Sequence, residues 1–449
     1  ISTSLFKKGF RNQFIQDVKP LNKNLKNMIG FAYTVRYIPA REDLNKIDVF
    51  ENPKHPQRVA IEECPKGYVL IFDSRKDPRA ASAGAILVTR LMKRGCEGIV
   101  TDGGFRDTPE IAKLKGVRYN DVLIDGKWFP RNDRKSNYKL DERYFKRDNT
   151  GNNASNKFHI ENRWKVDWTR TPSGYNTWQT VDGIKTIVRA FFTLDKVLLE
   201  VNEQTIRMAT TLRKYIASQF KPSIAKAFYD YYKSKNVLDF SAGWGDRLAG
   251  FYACDNTQHY VGIDPNTKNH IGYKKQIEFY KNCKTFLEDD KKVDMICSPA
   301  EDVDYSQYED YFDTIFTSPP YFNTEKYCDE PTQSYIRYKE IDSWNRNFLH
   351  KTIWRIIPTL KPGGILAINI ADVFSAKHKG YVDITNAMND YIVSCGLKYV
   401  GCIGMEMTKR FNSGGAGQAK SDYYSEDLKE TTEEKKDYAF GEPIWIWTK

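Results

Sequence analysis

The sequence predicts an α/β protein: an open sheet with helices on both faces, preceded by a separate, smaller α/β module. Three stretches predict the sheet. Val237-Leu238-Asp239-Phe240-Ser241-Ala242-Gly243-Trp244-Gly245-Asp246-Arg247 reads as strand, glycine-bearing turn and helix start. Tyr260-Val261-Gly262-Ile263-Asp264 reads as a second strand ending in an acid. Asp313-Thr314-Ile315-Phe316 reads as a buried strand that stops in Thr317-Ser318-Pro319-Pro320-Tyr321-Phe322, because proline cannot continue a hydrogen-bonded ladder. Such an ending puts Ser318 and Tyr321 at the carboxyl edge of the sheet, where open α/β sheets bind their ligands. Alone, Ser-Pro-Pro-Tyr is a loop with a fixed bend; the two strand ends upstream give it weight.

In that order the three stretches resemble the S-adenosylmethionine-dependent methyltransferases that modify exocyclic amino groups of DNA bases, with a Rossmann-like domain over residues 181–449. Phe220-Lys221-Pro222-Ser223-Ile224-Ala225-Lys226-Ala227-Phe228-Tyr229 is similar to the motif that flanks the cofactor in that family. The resemblance implies S-adenosylmethionine as cofactor and DNA as partner, with the target base flipped out of the duplex. It implies catalytic roles for Ser318, Pro319, Pro320 and Tyr321. Cofactor-binding roles fall to Phe220, Pro222, Asp239, Ser241, Gly243, Gly245, Asp264, Glu301 and Asp302. The chemistry is coherent. Gly243 and Gly245 let the backbone approach a ligand that a Cβ would obstruct. Asp264 is placed to accept from two ribose hydroxyls. Glu301 or Asp302, after the third strand Val293–Cys297, would accept from the adenine amino group, or else cap the next helix. Motif order is that of the gamma group of these enzymes, which usually carry Asn where this chain has Ser318. Serine there is more typical of cytosine-N4 enzymes, so cytosine N4 is slightly preferred over adenine N6. An RNA, protein or small-molecule N-methyltransferase would share fold and cofactor.

Residues 1–116 carry a second resemblance. Ile29–Leu44, Ala83-Gly84-Ala85-Ile86-Leu87 and Lys93-Arg94-Gly95-Cys96-Glu97-Gly98-Ile99-Val100-Thr101-Asp102-Gly103-Gly104-Phe105-Arg106-Asp107 are similar to RraA-like proteins, which include metal-dependent aldolases and regulators of an RNA-degrading endonuclease. It implies that Arg106 holds a keto-acid and Asp107 a divalent metal, if the module is active. The family's further strands have no counterpart after Gly116. A truncated core leaves unpaired edges, so a scaffold or oligomerisation role is at least as well supported as aldol chemistry.

Residues 117–180 interleave cations and rings, as in Lys127-Trp128-Phe129-Pro130-Arg131 and Arg163-Trp164-Lys165-Val166-Asp167-Trp168. They read equally as a nucleic-acid surface or as a loop-rich connector. Ile184–Phe220 reads as helical. Residues 323–335 read as an irregular polar loop able to close over the reaction centre. Lys361-Pro362-Gly363-Gly364 turns into strand 365–370, helix Tyr381–Cys395 and strand Leu397–Gly401 follow, and Pro443–Trp447 closes the sheet. Residues 405–425 are the preferred candidate for target recognition.

Composition narrows the setting. The 449-residue, 52.1 kDa chain is long enough for two or three domains, and 40% hydrophobic with 28% charged residues is ordinary for a globular protein. No apolar run is long enough to span a bilayer. The opening Ile1-Ser2-Thr3, without Met or a signal peptide, suggests a fragment or processed chain. Eight scattered cysteines without a Cys-x-x-Cys pair disfavour structural zinc and disulfides and fit a reducing compartment such as the cytoplasm. A net charge of +11 favours a polyanionic partner.

Overall fold

The computed structural model describes residues 7–9, 28–37, 52, 54–76, 81–105, 114–130, 136–168, 172–191, 202–213, 217–282, 291–375, 380–407 and 438–449. Two compact units divide the chain, Ile1–Pro109 and Glu110–Lys449. In the first, β1 (Phe31–Arg36), α1 (Pro56–Glu63), β2 (Tyr68–Asp73), α2 (Ala85–Lys93) and β3 (Gly98–Thr101) form a parallel three-stranded sheet with two helices, in strand order β1-β2-β3. Ile61, Leu70, Phe72 and Leu91 fill its core together with Cys64 and Cys96. Arg106 and Asp107 lie outside the described residues.

The second unit begins earlier than residue 117, because Leu114 is fully buried in its core alongside Val122. Residues 117–180 are more than a connector. β4 (Leu123–Asp125), β5 (Trp128–Pro130) and β6 (Arg143–Phe145) extend the main sheet, and α3 (Asn152–Trp164) is followed by the two-residue β7 (Asp167–Trp168). The helical stretch expected at 184–220 contains α4 (Val181–Phe191) and α5 (Glu203–Arg213), with 192–201 outside the described residues. Then come α6 (Pro222–Tyr231), β8 (Asn236–Asp239), α7 (Asp246–Ala253), β9 (His259–Ile263), α8 (Thr267–Asn282), β10 (Lys292–Ile296), β11 (Phe312–Thr317) and β12 (Glu325–Lys326). The unit ends with β13 (Leu360–Asn369), α9 (Thr385–Ser394), β14 (Lys398–Glu406) and β15 (Ala439–Thr448). The helix expected from 381 starts only at Thr385, because Gly380–Val382 pairs as a strand with Val373–Ser375.

The main sheet runs β10-β9-β8-β11-β13-β15-β14-β6-β4, with β5 also paired to β15. Its first five strands are parallel, and β15 lies antiparallel between β13 and β14. This is a Rossmann-like, doubly wound arrangement. One face buries α6, α7 and α8 through Phe228, Tyr229, Leu248, Phe251, Tyr273 and Tyr280. The other buries the helical run 341–356 and α9 through Trp344, Leu349, Ile353, Met388 and Ile392. The order of strands reverses between β8 and β11, so their carboxyl ends diverge there and open the crevice in which such sheets bind ligands. No helix of the described residues is long and apolar enough to cross a membrane.

One carboxylate ties those ends together. Asp239, last residue of β8 and fully buried, accepts from Arg247 Nε at 2.8 Å and Nη2 at 3.2 Å, from the Tyr260 hydroxyl of β9 at 2.6 Å and from Thr317 Oγ1 of β11 at 2.8 Å. Arg247 also donates to the Ser241 carbonyl, so the buried cation has partners beyond its carboxylate. Removing one member of such a pair leaves the other charge buried without compensation. Asp239→Ala is therefore expected to lower the unfolding free energy by about 3–5 kcal/mol, read from the denaturant midpoint; a shift near zero would mean that the pair is solvated.

Candidate active site

The turn after β8 is shaped by two glycines in the left-handed region, Gly243 at φ 58° and Gly245 at φ 67°. They differ in what surrounds them. A Cβ on Gly245 would collide with Gln276 Oε1, whereas one on Gly243 would meet nothing nearer than the Ser241 carbonyl at 3.8 Å. Gly245 is thus needed for internal packing, and Gly243 leaves a face of the backbone open. Helix α8 holds the turn from behind: Asn269 Nδ2 donates to the Gly243 carbonyl at 3.1 Å, Tyr273 donates to the same oxygen, and Gln276 Nε2 donates to the Gly245 carbonyl at 2.9 Å.

Asp264, one residue beyond β9 and 7% exposed, accepts from the backbone N–H of Gly243 at 2.9 Å and of Asn266 at 2.8 Å. Two backbone bonds leave a carboxylate with acceptor capacity for two hydroxyls. Burial pushes its pKa up to about 6, against the pull of those two N–H groups and of His270. Asp239, one strand over, has no comparable capacity, since five donors including the Ser241 N–H already surround it. Phe220 lies beneath the Arg247 guanidinium, 5.0 Å away, and edge-on to Phe316 at 5.6 Å; Pro222 is buried in the first turn of α6. Phe220 therefore braces the Asp239–Arg247 pair.

On the carboxyl side of β10, Glu301 is 1% exposed, and burial raises its pKa. Its Oε1 accepts from Arg337 and from the Tyr338 hydroxyl, while its buried Oε2 has no partner among the described residues. Asp302 is half-exposed and ion-paired with Arg337 at 2.8 Å and Lys351 at 3.4 Å. Of the two acids, Glu301 has the geometry of a ligand acceptor.

At the end of β11, Thr317 is tied to Asp239, and the chain leaves the sheet through Ser318, buried Pro319, Pro320 and Tyr321. Two partners here carried no sequence signal. Ser318 Oγ lies 3.2 Å from Asn369 Oδ1, and the Tyr321 hydroxyl donates to Glu442 Oε2 at 3.1 Å. The loop that follows is less irregular than expected. Glu325 and Lys326 pair antiparallel with Trp168 and Asp167, Tyr327 packs on Trp244 at 5.9 Å, and Glu330 accepts from Thr267 at the start of α8. It runs over the Asp264 turn, where Thr332 donates to the Pro265 carbonyl at 3.3 Å. Most of the recognition segment expected at 405–425 lies outside the described residues.

Gly243→Ala and Gly245→Ala are expected to separate binding from folding. A left-handed alanine costs about 1–2 kcal/mol at either position, but Gly245→Ala adds the collision with Gln276 and should be the less stable in thermal unfolding, while Gly243→Ala should fold and lose ligand at the open turn. Asp264 predicts a pH signature. Its raised pKa means that its contribution to stability is present below the ordinary carboxylate value and lost as pH rises through about 6. Binding of a ligand that brings hydroxyl donors to Asp264, as the cofactor implied by the resemblance would, has the opposite sign, since only the carboxylate accepts from two of them: its affinity should fall as pH drops through about 6. Asp264→Ala should weaken binding by roughly 1.5–3 kcal/mol and abolish that pH dependence in calorimetry.

Residues 1–123 match the RraA-like family model, described as Aldolase/RraA. No curated protein matches the chain. Among solved structures, the chain is similar to the N-methyltransferase NodS from Bradyrhizobium japonicum WM9 in complex with S-adenosyl-L-homocysteine, at 10% identity over 59% of this chain and 96% of that one, TM-score 0.29. It is similar to the [4+2]-cyclase SpnF at 15% identity over 50% and 81%, TM-score 0.29. It is similar to the Burkholderia thailandensis 1,6-didemethyltoxoflavin-N1-methyltransferase at 12% identity over 51% and 77%, TM-score 0.28. Likenesses this remote assign no substrate to this chain.

Proposed function

We propose that the chain is an S-adenosylmethionine-dependent DNA methyltransferase that methylates an exocyclic amino group, with cytosine N4 slightly ahead of adenine N6. The observation that carries this is the meeting, at one sheet edge, of the open Gly243–Asp264 turn with Ser318-Pro319-Pro320-Tyr321, both anchored to Asp239 or its neighbours. The residues present fit the cofactor: Gly243 offers backbone without a Cβ, Asp264 offers two acceptor positions to the ribose, and the unpartnered Glu301 Oε2 offers one to an amino group. When bound, S-adenosylmethionine supplies an electrophilic methyl group on a cationic sulfur.

The chain's own residues do the rest. The lone pair of a base amino group is delocalised into the ring, which makes it a poor nucleophile. Ser318 Oγ and the main-chain carbonyl near Pro319 accept its two N–H bonds and favour a pyramidal nitrogen, while Tyr321 stacks on the extruded base. Positioning of the two reacting atoms supplies most of the acceleration. The loop 323–335, pinned at β7 and α8, shields the reacting groups from water. No covalent thiol is required: burial pushes the Cys328 thiol up to about 11 and raises that of Cys297, so neither is a thiolate at neutral pH. The charge of +11 suits a polyanionic substrate.

Expression in a methylation-free host, followed by nucleoside analysis of its DNA, tests the proposal. N4-methylcytosine is expected; N6-methyladenine alone would reverse the choice of base and keep the mechanism. Unmodified DNA alongside transfer to RNA, protein or a small amine would move the chain to another N-methyltransferase class. Ser318→Ala should slow transfer roughly 10- to 100-fold and leave cofactor affinity unchanged, because the bond it removes forms to the methyl acceptor.

A further inference from the structure

We propose that Asn369 is a positioning residue that fixes the polarity of the Ser318 hydroxyl, so that the site accepts hydrogen bonds from its substrate and cannot donate them there. This rests on the methyltransferase proposal above. Asn369 is the last residue of β13 and is 1% exposed. Its Nδ2 lies 2.9 Å from the Pro443 carbonyl of β15. A main-chain carbonyl can only accept, so the NH2 end of the amide must face Pro443. The opposite end, Oδ1, is thereby turned toward Ser318 Oγ at 3.2 Å. Two acceptors cannot bond to each other, so the single hydroxyl proton of Ser318 points at Asn369. Both of its lone pairs are left for the other side.

The sheet makes this setting rigid. Asn369 is in register with Ile444 of β15, which carries the Pro443 carbonyl, and β15 is held on its far side by β14. An unrestrained serine would rotate its proton to suit either a donor or an acceptor. Locked by Asn369, it rewards a group that brings its own N–H and penalises a ring nitrogen or carbonyl presented in the same place. A main-chain carbonyl beside it has the same polarity, so the two together select an amino group. Glu442 does a parallel service for Tyr321, accepting its hydroxyl proton at 3.1 Å.

The test uses the full chain with unmethylated DNA in single-turnover assays, calorimetry with S-adenosylmethionine, and a double-mutant cycle. Asn369→Leu should slow transfer roughly tenfold with cofactor affinity within about twofold of wild type, and should cause no further loss in a Ser318→Ala background. Asn369→Asp supplies a second readout. Its protonated form donates to Pro443 and accepts from Ser318 as the amide does, so its rate relative to wild type should recover as pH falls through the pKa of the new carboxyl. Additive losses in the double variant, or an Asn369→Asp ratio that ignores pH, would overturn the inference. A wild-type chain that leaves DNA unmethylated would overturn the substrate proposal alone; the coupling is then read from the denaturant midpoints of the same four proteins, where additivity overturns the inference.

Discussion

The buried Asp239–Arg247 pair is the constraint on which the site depends. Its donors come from three separate elements: Arg247 from α7, Tyr260 from β9 and Thr317 from β11. Each bond fixes the height of one strand or helix end relative to β8. Together they bring the glycine turn, Asp264 and Ser318 to a single edge. Desolvating an ion pair costs several kcal/mol per ion, and hydrogen bonds from Tyr260 and Thr317 to Asp239 and from Arg247 to the Ser241 carbonyl offset much of that cost. What the pair contributes is registry more than net stability, since hydrophobic side chains of similar volume would pack as well and would orient nothing.

A second network extends the constraint into the floor of the turn and fixes its proton positions. Gln276 donates Nε2 to the Gly245 carbonyl, so its Oε1 faces His159, whose Nε2 must then be the protonated nitrogen, 3.1 Å away. His159 is buried, its Nδ1 has no partner among the described residues, and burial pushes its pKa down to about 4, so the ring stays neutral and the pattern does not change near pH 7. Helix α3, which carries His159, also supplies Ser155 as a donor to Asp246 at the head of α7. The segment between the two family resemblances is thus part of the floor of the glycine turn.

What was legible in the sequence was local. Strand, turn and acid at 237–247 and 260–264 carry their own patterns within a dozen residues, and the double proline marks its strand end unaided. The partners that finish the site are not local. Thr317 and Asp239 are 78 residues apart, Ser318 and Asn369 are 51 apart, and Tyr321 and Glu442 are 121 apart. No periodicity encodes such pairings; they exist only once the sheet order is known. The strands β4, β5 and β6 escaped for a different reason: each has three residues, too few to show alternation. The two residues of β12 were hidden in the same way, because their pairing depends on Trp168 and Asp167 far upstream.

Asp239 and Asp264 show how two buried acids at adjacent strand ends come to different work. Sequence marks them alike, each closing a strand, and the family resemblance assigns both to the cofactor. Counting donors separates them. Asp239 is surrounded by five, four of them on the side chains of Arg247, Tyr260 and Thr317, and has no capacity left for a ligand. Asp264 accepts two backbone N–H groups and, among the described residues, no cation is hydrogen-bonded to its carboxylate, so burial wins and its pKa rises. A carboxylate held in that state is stabilised by any ligand that brings hydroxyl donors to it. Ligand binding and ionisation of Asp264 therefore favour one another, whereas the acceptor positions of Asp239 are taken up by the fold itself. The same distinction applies in the first unit. Asp102 accepts from the backbone N–H of Ser74 at 2.6 Å and of Lys76 at 3.1 Å, across a bend where Arg75 and Lys76 are both left-handed. That concave run of amides is an anion site already filled by the protein's own carboxylate, which makes Asp102, like Asp239, a residue that builds its loop.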